Sequence, residues 1–555
     1  MADSTRDSSL AALTALHRAG RLDEAQVGYE AWLLEAPASS LALAGLAAIH
    51  AQRGDFVKAL DHYARALKSN PANADAHRQK GIVLCKLGRL EEAIECLNRA
   101  IELKPDSFVA YNNRAVVLKA LERFDDAVAD YDRAIAINSE YLSAWKNRGI
   151  TLRALNRLDE CIASYDRALE IDPDDAQIWN YRGHVLRQQG RLADSLASYQ
   201  EAVRIRPDYA EAHYNQSIVL REFGRHAEAI ECCDRATALV PDYADAWWNK
   251  AEMLVLTGDF ENGWAMFEWR WKSDRHGKEF RDVGKPLWLG DGPLEGKRLL
   301  LNVDGGLGDV IQFCRYVPLL VRQGAQVIVE AQEGLIPLLR ESFDAIELTP
   351  YLKPLPEFDC HCPQMSLPGA FRQSVDQLTA DLPYLRAPAL LREAWAAKLG
   401  PKTRPRIGLV WSGGNLHYKG QEHRSIPLEQ MKSLLTNDAE FHCLQKEILE
   451  SDRAALASLP IQTWEAELHD FAETAALIAQ MDLVISVDTA VGHLTGAMGQ
   501  QVWIILPFDP DMRWMLNRTD TPWYPDVMHL FRQPSLGDWA TPLARVREEM
   551  LRWIG

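Results

Sequence analysis

Prolines recur every 34 residues through the first half of the chain, at Pro37, Pro71, Pro105, Pro173, Pro207 and Pro241, with Ser139 in the one missing place. Three further rows keep the same step. One is Ala66, Ala100, Ala134, Ala168, Ala202 and Ala236; another is Gly81, Ala115, Gly149, Gly183, Ser217 and Ala251. The last is bulky: Tyr63, Tyr131, Tyr165 and Tyr199, with Leu97 in register. Proline stops a helix, because it lacks the N–H and clashes with the preceding turn. Small residues let two helices approach, and the tyrosine position fills the gap beside them. A unit this short cannot bury its apolar face alone, so it has to stack on its own copies. The pattern runs almost without a break from about Ala11 to Trp271.

This pattern resembles the tetratricopeptide repeat, a helical hairpin of 34-residue period, and predicts about seven to eight repeats stacked as an all-α superhelix over residues 1–275. Asn113, Asn147, Asn215 and Asn249 share one repeat position, with Tyr181 interrupting the row. Two readings stay open. The asparagines bridge adjacent helices, or they form an acceptor-binding ladder in which each carboxamide donates to and accepts from a peptide backbone without demanding a side-chain sequence. The ladder resembles that of the repeat superhelix in O-GlcNAc transferases. Phe260–Pro286 then leaves the repeat, and its Trp264, Trp269 and Trp271 suit a terminal cap, since a last repeat otherwise exposes apolar surface.

After a linker at 276–296 the period changes. Short apolar runs at Leu299–Val303, Gln326–Glu330, Arg406–Trp411, Leu483–Val487 and Val502–Leu506 alternate with helix-length segments, which predicts parallel sheets covered by helices. Ala387–Pro405 divides this half. The expectation is two Rossmann-like halves, 297–395 on the acceptor side and 404–555 on the donor side, with ligands at the carboxyl ends of strands. Thr541–Ile554 reads as a closing helix.

Three constellations sit at such strand ends. The first is Asp304-Gly305-Gly306-Leu307-Gly308-Asp309, which lacks both the dinucleotide spacing and the lysine of a phosphate loop. Its glycines, Gly306 and Gly308 among them, permit close approach of another molecule. Asp309 is either a functional carboxylate or a helix-start acid favoured by the macrodipole. The second is Trp411-Ser412-Gly413-Gly414-Asn415, followed by Lys419, Arg424 and Gln445-Lys446; small residues with nearby cations suit a diphosphate, while the other reading, a surface loop with solvated charge, is the one that suits Lys419. The third, Asp488-Thr489-Ala490-Val491-Gly492-His493, opens a helix after a buried strand, where free N–H groups bind phosphate. The tail after Val502–Leu506 carries Asp509, Asp511, Arg513, Trp514, Trp523 and Tyr524. It reads either as a wall of the cleft near a sugar or as packing.

Residues 286–540 resemble glycosyltransferase family 9, the group of the ADP-heptose:lipopolysaccharide heptosyltransferases, through GLGDVIQF, the RSIP segment at Arg424–Pro427 and VDTAVGHLTGAMG. The resemblance implies a GT-B fold and an inverting, metal-independent transfer from a nucleotide sugar, with no cofactor. It assigns Asp309 as general base, Arg424 as the phosphate contact and Thr489 to His493 as the donor loop. Ala490 stands where the family commonly has glycine.

The expected function is a glycosyltransferase that moves a sugar to Ser or Thr of a protein held by the repeats, flagellin or another bacterial surface protein being one such acceptor. The alternatives are a heptosyltransferase-like enzyme acting on a lipopolysaccharide or glycan acceptor, and a non-catalytic scaffold. The net charge of -17 with no basic stripe argues against a nucleic-acid partner. Met1–Leu10 shows no secretory pattern, and no apolar run is long enough to span a bilayer. Nine cysteines without framework spacing suit a reducing cytoplasm. Cys360-His361-Cys362 lacks a second ligand pair, so strand residues are expected there and no metal. The oligomeric state stays open.

Overall fold

The computed structural model describes residues 2–274, 277, 281–378, 381–413 and 424–555. It divides into two compact units, Met1–Val219 and Leu220–Gly555.

The first unit is helical hairpins from Ala2–Arg18 onward, and the pattern continues past the division through His226–Leu239, Ala244–Thr257 and Phe260–Met266. The rows found in the sequence interlock physically. A Cβ on Gly149 would lie 2.4 Å from the ring of Tyr165, and one on Gly183 would lie 2.8 Å from the ring of Tyr199. The small position and the tyrosine position are therefore two halves of one contact. All six alanines of the alanine row are buried.

The proline row is tied down by a row six residues later. Trp145, Trp179 and Trp247 donate their indole N–H to the carbonyls of Ser139, Pro173 and Pro241 at 2.8, 2.9 and 2.9 Å. His77 and His213 pair with Pro71 and Pro207 in the same way. Each bond satisfies a carbonyl that the helix break leaves open. Ser39, Asn73, Ser107 and Asp175 cap the next helices through their side chains, each worth about 1 kcal/mol.

The second unit contains two wholly parallel sheets. The first runs β3-β2-β1-β4, from β1 (Arg298–Asn302), β2 (Gln326–Ala331), β3 (Ile346–Pro350) and β4 (Cys360–Pro363). The second runs β10-β9-β8-β5-β6-β7, from β5 (Arg406–Val410), β6 (Glu440–Cys443), β7 (Ile461–Gln462), β8 (Leu483–Val487), β9 (Val502–Leu506) and β10 (Met528–Arg532). Strands buried on both faces read as continuous apolar runs, and β5, β8 and β9 are buried at every position.

One expectation is corrected. Val502–Leu506 is not the last strand: β10 pairs with it in parallel from Met528↔Val502 to Arg532↔Leu506. Its alternating sequence MHLFR, at a sheet edge, hides it among loop-like neighbours. The dividing stretch Ala387–Pro405 holds a helix, Ala389–Leu399, whose Trp395 packs edge-on against Trp464.

One core joins the last hairpin to the first sheet. It includes Trp248, Val255, Phe260, Trp264 and Phe267 together with Leu299, Leu301 and Val303. Trp264 thus covers the end of the array, as its place in the sequence predicts. Among the described residues, no helix is long and apolar enough to cross a membrane.

Candidate active site

The site lies where the carboxyl ends of β1 and β8 face each other. After β1 the chain turns through Val303–Gly306 into the helix Leu307–Phe313; after β8 it turns through Asp488 into the helix Ala490–Ala497. The two helix starts touch. A Cβ on Gly308 would lie 3.0 Å from His493 Cδ2 and 3.6 Å from the Ala490 Cα, so glycine is what allows the approach. Asp309 bonds back across its own turn, where its Oδ2 accepts from the Gly306 N–H at 2.6 Å.

Asp304, five residues earlier, faces the other way. Its carboxylate is buried, accepts from Arg270 Nη2 at 3.0 Å and from the Met365 N–H at 3.0 Å. Burial pushes this carboxyl up to about 6 against the pull of Arg270. Arg270 belongs to the turn Phe267–Lys272 that ends the array. Of the two aspartates in the glycine turn, one anchors the fold and the other is left at the site.

A chain of alternating charges runs from Asp309. Its Oδ1 accepts from Arg513 Nη2 at 2.6 Å. Arg513 also donates to Gln312 Oε1 at 2.7 Å and, through Nε, to Asp511 Oδ1 at 2.8 Å. Arg424 lies 3.7 Å from Asp511 and 3.5 Å from Asp488. Asp488 lies 3.8 Å from His493 Nε2. Burial alone would raise the Asp511 carboxyl, but Arg513 and Arg424 outweigh it and hold it well below the usual carboxylate range. Burial, then Arg513, pulls His493 down to about 3. It is a neutral imidazole, stacked 5.1 Å from Trp514 and bonded through Nδ1 to the Tyr524 hydroxyl at 3.0 Å.

The two guanidinium groups differ. The Arg513 side chain is 9% exposed and has hydrogen-bond distances to its partners, whereas Arg424 is 35% exposed and, among the described residues, paired at longer range.

Thr489 caps the second helix start; its hydroxyl accepts from the Gly492 N–H at 3.5 Å and lies 2.9 Å from the Ser486 hydroxyl. Gly492 is buried, and a Cβ there would strike Ile504 at 2.6 Å; its lack of a side chain serves packing on β9. Ala490 is half-buried at the contact with Gly308. Ser412 is buried, held by Gln445 through its backbone N–H at 3.2 Å and its hydroxyl at 3.0 Å. Lys446 is exposed and donates to the His469 carbonyl at 2.8 Å. Gly414, Asn415 and Lys419 lie outside the described residues.

The aromatic tail packs. Trp514, Trp523 and Tyr524 are each at most 1% exposed, and Trp523 meets Phe313 edge-on while donating to the Arg513 carbonyl at 2.9 Å. Cys360, His361 and Cys362 are β4 residues, and His361 Nδ1 pairs with Asn302 at 2.8 Å. In the sequence Asp511 and Arg513 belong to a tail that reads either as a wall of the cleft or as packing, with no individual role. The available signal was an Asp-x-Asp-x-Arg run directly after a buried strand, where parallel sheets place ligands.

In the array, Asn147 Nδ2 donates to Asn112 at 3.2 Å and Asn215 Nδ2 to Asn180 at 2.9 Å. Asn249 is buried and accepts from Arg221 at 3.3 Å. The Asn113 Nδ2 is buried without a hydrogen-bond partner among the described residues. Helix-to-helix bridging therefore engages the amide nitrogens of Asn147 and Asn215, the donor half of each carboxamide.

Comparison with known proteins follows this division. Tetratricopeptide-repeat families match residues 46–118, 108–141, 143–175 and, in overlapping segments, 162–263. Glycosyltransferase family 9 (heptosyltransferase) matches residues 465–505, which hold β8, the Asp488–His493 turn and most of β9. Asp309 and Arg424 lie outside that stretch. Protein FlbA of Caulobacter vibrioides is 26% identical over 324 residues, covering 54% of this chain; the chain spans about half of that relative, 53%. Among solved structures, YrrB, described as a TPR protein with an unusual peptide-binding site, is 22% identical over 33% of this chain and 95% of its own, with a TM-score of 0.30. The pilF protein of Pseudomonas aeruginosa is 20% identical over 39% and 98%, with a TM-score of 0.36. The chain combines an array of tetratricopeptide repeats with an α/β domain whose second sheet carries a glycosyltransferase family 9 match, which supports a glycosyltransferase.

Proposed function

We propose that this chain is an inverting, metal-independent glycosyltransferase of the GT-B type that moves a sugar from a nucleotide-sugar donor to a serine or threonine hydroxyl of a protein acceptor. The observation that carries the reading is that Asp309, from the first sheet, and Arg424, from the second, belong to one charge chain beside the family 9 stretch.

In this reading Asp309 takes the proton of the acceptor hydroxyl as the oxygen attacks the anomeric carbon from the face opposite the diphosphate. Each carboxylate oxygen has two lone pairs, so the bonds from Gly306 and Arg513 leave room for that proton. The bond between the anomeric carbon and the phosphate oxygen breaks, and the nucleoside diphosphate leaves with the electron pair. Arg424 and the free N–H groups at the start of Ala490–Ala497 stabilise the developing negative charge, a role that preorganised donors fill well. Thr489, Ala490 and Asp488 line this donor loop, with His493 behind it as a neutral packing partner. Ser412, Gly306 and Gly308 shape the turns on either side, and Lys446 stands at the rim of the second sheet.

The array is the acceptor module in this proposal, and the carboxamide oxygens of Asn147 and Asn215, with Asn113 and Asn249, are its candidate contacts for a peptide backbone. All nine cysteines are free thiols, which suits a cytoplasmic setting. The match to glycosyltransferase family 9, a heptosyltransferase family, favours one second reading, a heptosyltransferase-like enzyme with a glycan acceptor.

The test is a thermal melt of the full chain with ADP-heptose and with UDP-, GDP- and CMP-linked sugars, followed by transfer assays on the responder. A ligand at a hundred times its Kd adds roughly 2.7 kcal/mol to the unit that binds it. A single responder that also labels a protein acceptor is the expected result. Transfer to a glycan alone selects the second reading, and no response from any donor overturns both.

A further inference from the structure

Arg513 is a fully charged group buried between the two helix starts, and the chemistry above does not use it. Burial opposes its charge, yet Asp511, Asp309 and Asp488 outweigh that and raise its proton affinity further. Three of its bonds are directional: Nη2 to Asp309 Oδ1 at 2.6 Å, Nη1 to Gln312 Oε1 at 2.7 Å and Nε to Asp511 Oδ1 at 2.8 Å. Asp309 and Gln312 stand three residues apart on Leu307–Phe313, so the planar guanidinium spans one turn of that helix. Its backbone is held too. The Arg513 N–H donates to Asp511 at 3.1 Å, and its carbonyl accepts from Trp523, which packs on Phe313 of the same helix. Next to it, Trp514 stacks on His493 at the second helix start. The turn Met512–Trp514 is thus wedged against both helices that carry the site.

We propose that Arg513 is the positioning residue of the Asp309 base, setting the rotation of its carboxylate through the Nη2 bond to Oδ1. The inference rests on Asp309 being the base. Gly306 holds one carboxylate oxygen and Arg513 the other, so the plane of the group is determined from both ends. A lysine at 513 offers a point charge and no fork, and a glutamine offers neither charge nor fork. Misplacing a reacting group by about 1 Å costs on the order of 10²-fold in rate, and this cost falls mainly on turnover, because the directional bonds of Arg513 go to Asp309, Gln312 and Asp511 rather than to the donor loop.

The experiment uses the full chain with UDP-N-acetylglucosamine and ADP-heptose, reading nucleoside-diphosphate release for turnover and calorimetry for donor binding, in wild type, Arg513→Gln, Arg513→Lys, Asp309→Asn and the Arg513→Gln/Asp309→Asn double variant. Arg513→Gln is expected to lose roughly 10²-fold in kcat with donor Kd within about threefold. Arg513→Lys should recover part of kcat. On the Asp309→Asn background, Arg513→Gln should add nothing, since it acts through the group already removed. Effects that multiply, or a loss of donor binding matching the loss of kcat, overturn the proposal. Undiminished turnover by Asp309→Asn alone overturns instead the base assignment. A crystal structure of Arg513→Lys, and of Arg513→Gln where it folds, gives a test independent of turnover: a displaced Asp309 carboxylate supports the proposal, and an unmoved one in both variants ends it.

Discussion

The array and the active site are built by opposite rules. In the array one contact is copied: Gly149 under Tyr165 and Gly183 under Tyr199, with the same step again at Gly81 and Leu97. Each hairpin depends on its neighbours, so stability is close to a sum of repeat and interface terms. At the site nothing repeats. Asp309, Arg424, Asp488 and Arg513 come from four separate segments, and each has a different set of partners. The difference predicts that lesions in the array stay local, while one lesion at the site removes function altogether.

The largest effect expected is that of Asp309→Asn, which should lower sugar transfer by more than about 10³-fold while donor affinity holds, since the isosteric amide keeps the volume but removes the base, together with one of the two bonds the carboxylate accepts. Transfer assays with calorimetry check it. If transfer survives, the site loses its distinguishing residue and the comparison fails at its strongest point.

Next is the joint between the two constructions. Arg270→Ala leaves the buried Asp304 carboxylate unpaired and should destabilise the second unit by about 3–5 kcal/mol, read as a shift of its denaturant midpoint. pH sharpens this. Asp304 has a folded value of about 6 against its ordinary 3.8, so between about pH 4 and 6 it holds a proton in the folded chain that the unfolded chain has released. Its contribution to stability is present in full below pH 4 and is lost as pH rises through 6. Without Arg270 that loss should grow and extend to higher pH.

A smaller effect belongs to Gly149→Val. The new Cβ falls 2.4 Å from the Tyr165 ring, and overpacking of this kind costs about 1–3 kcal/mol. Hydrogen exchange should show it confined to the hairpins around residue 149, with the Leu220–Gly555 unit unchanged. Fast exchange in both units would mean that the array is no independent construction.

The smallest concerns the asparagines. Asn147→Ala with Asn215→Ala removes two helix-to-helix bonds, each worth about 1 kcal/mol. A melt lowered by that amount, with peptide-acceptor affinity unchanged, would leave the row as bridging alone; a loss of acceptor affinity beyond it would restore the ladder.

Much of this was legible in the residues. The 34-residue rows name the packing partners, because a stacked repeat must place the same side chain in the same contact every time. The runs that became β1, β2, β5, β8 and β9 are readable because strands covered on both faces have no polar alternation to obscure them. Met528–Arg532 was missed because its mixed residues look like its loops, and it is a strand only by pairing with β9. The two aspartates of the glycine turn look alike in sequence. Their tertiary partners separate them: Arg270, 34 residues upstream, and Met365 hold Asp304, whereas Arg513 meets Asp309.

The sequence by itself determined the repeat architecture, the parallel sheets and the two turns that face each other, because local periodicity and turn chemistry act over a few residues. The tertiary structure alone decided which charges meet. Arg513 reaches Asp309 across 204 residues, and a Cβ on Gly308 would crowd His493, on the helix that follows β8, at 3.0 Å. Such pairings arise where two separately patterned halves are packed against each other, and no period within either half encodes the distance between them.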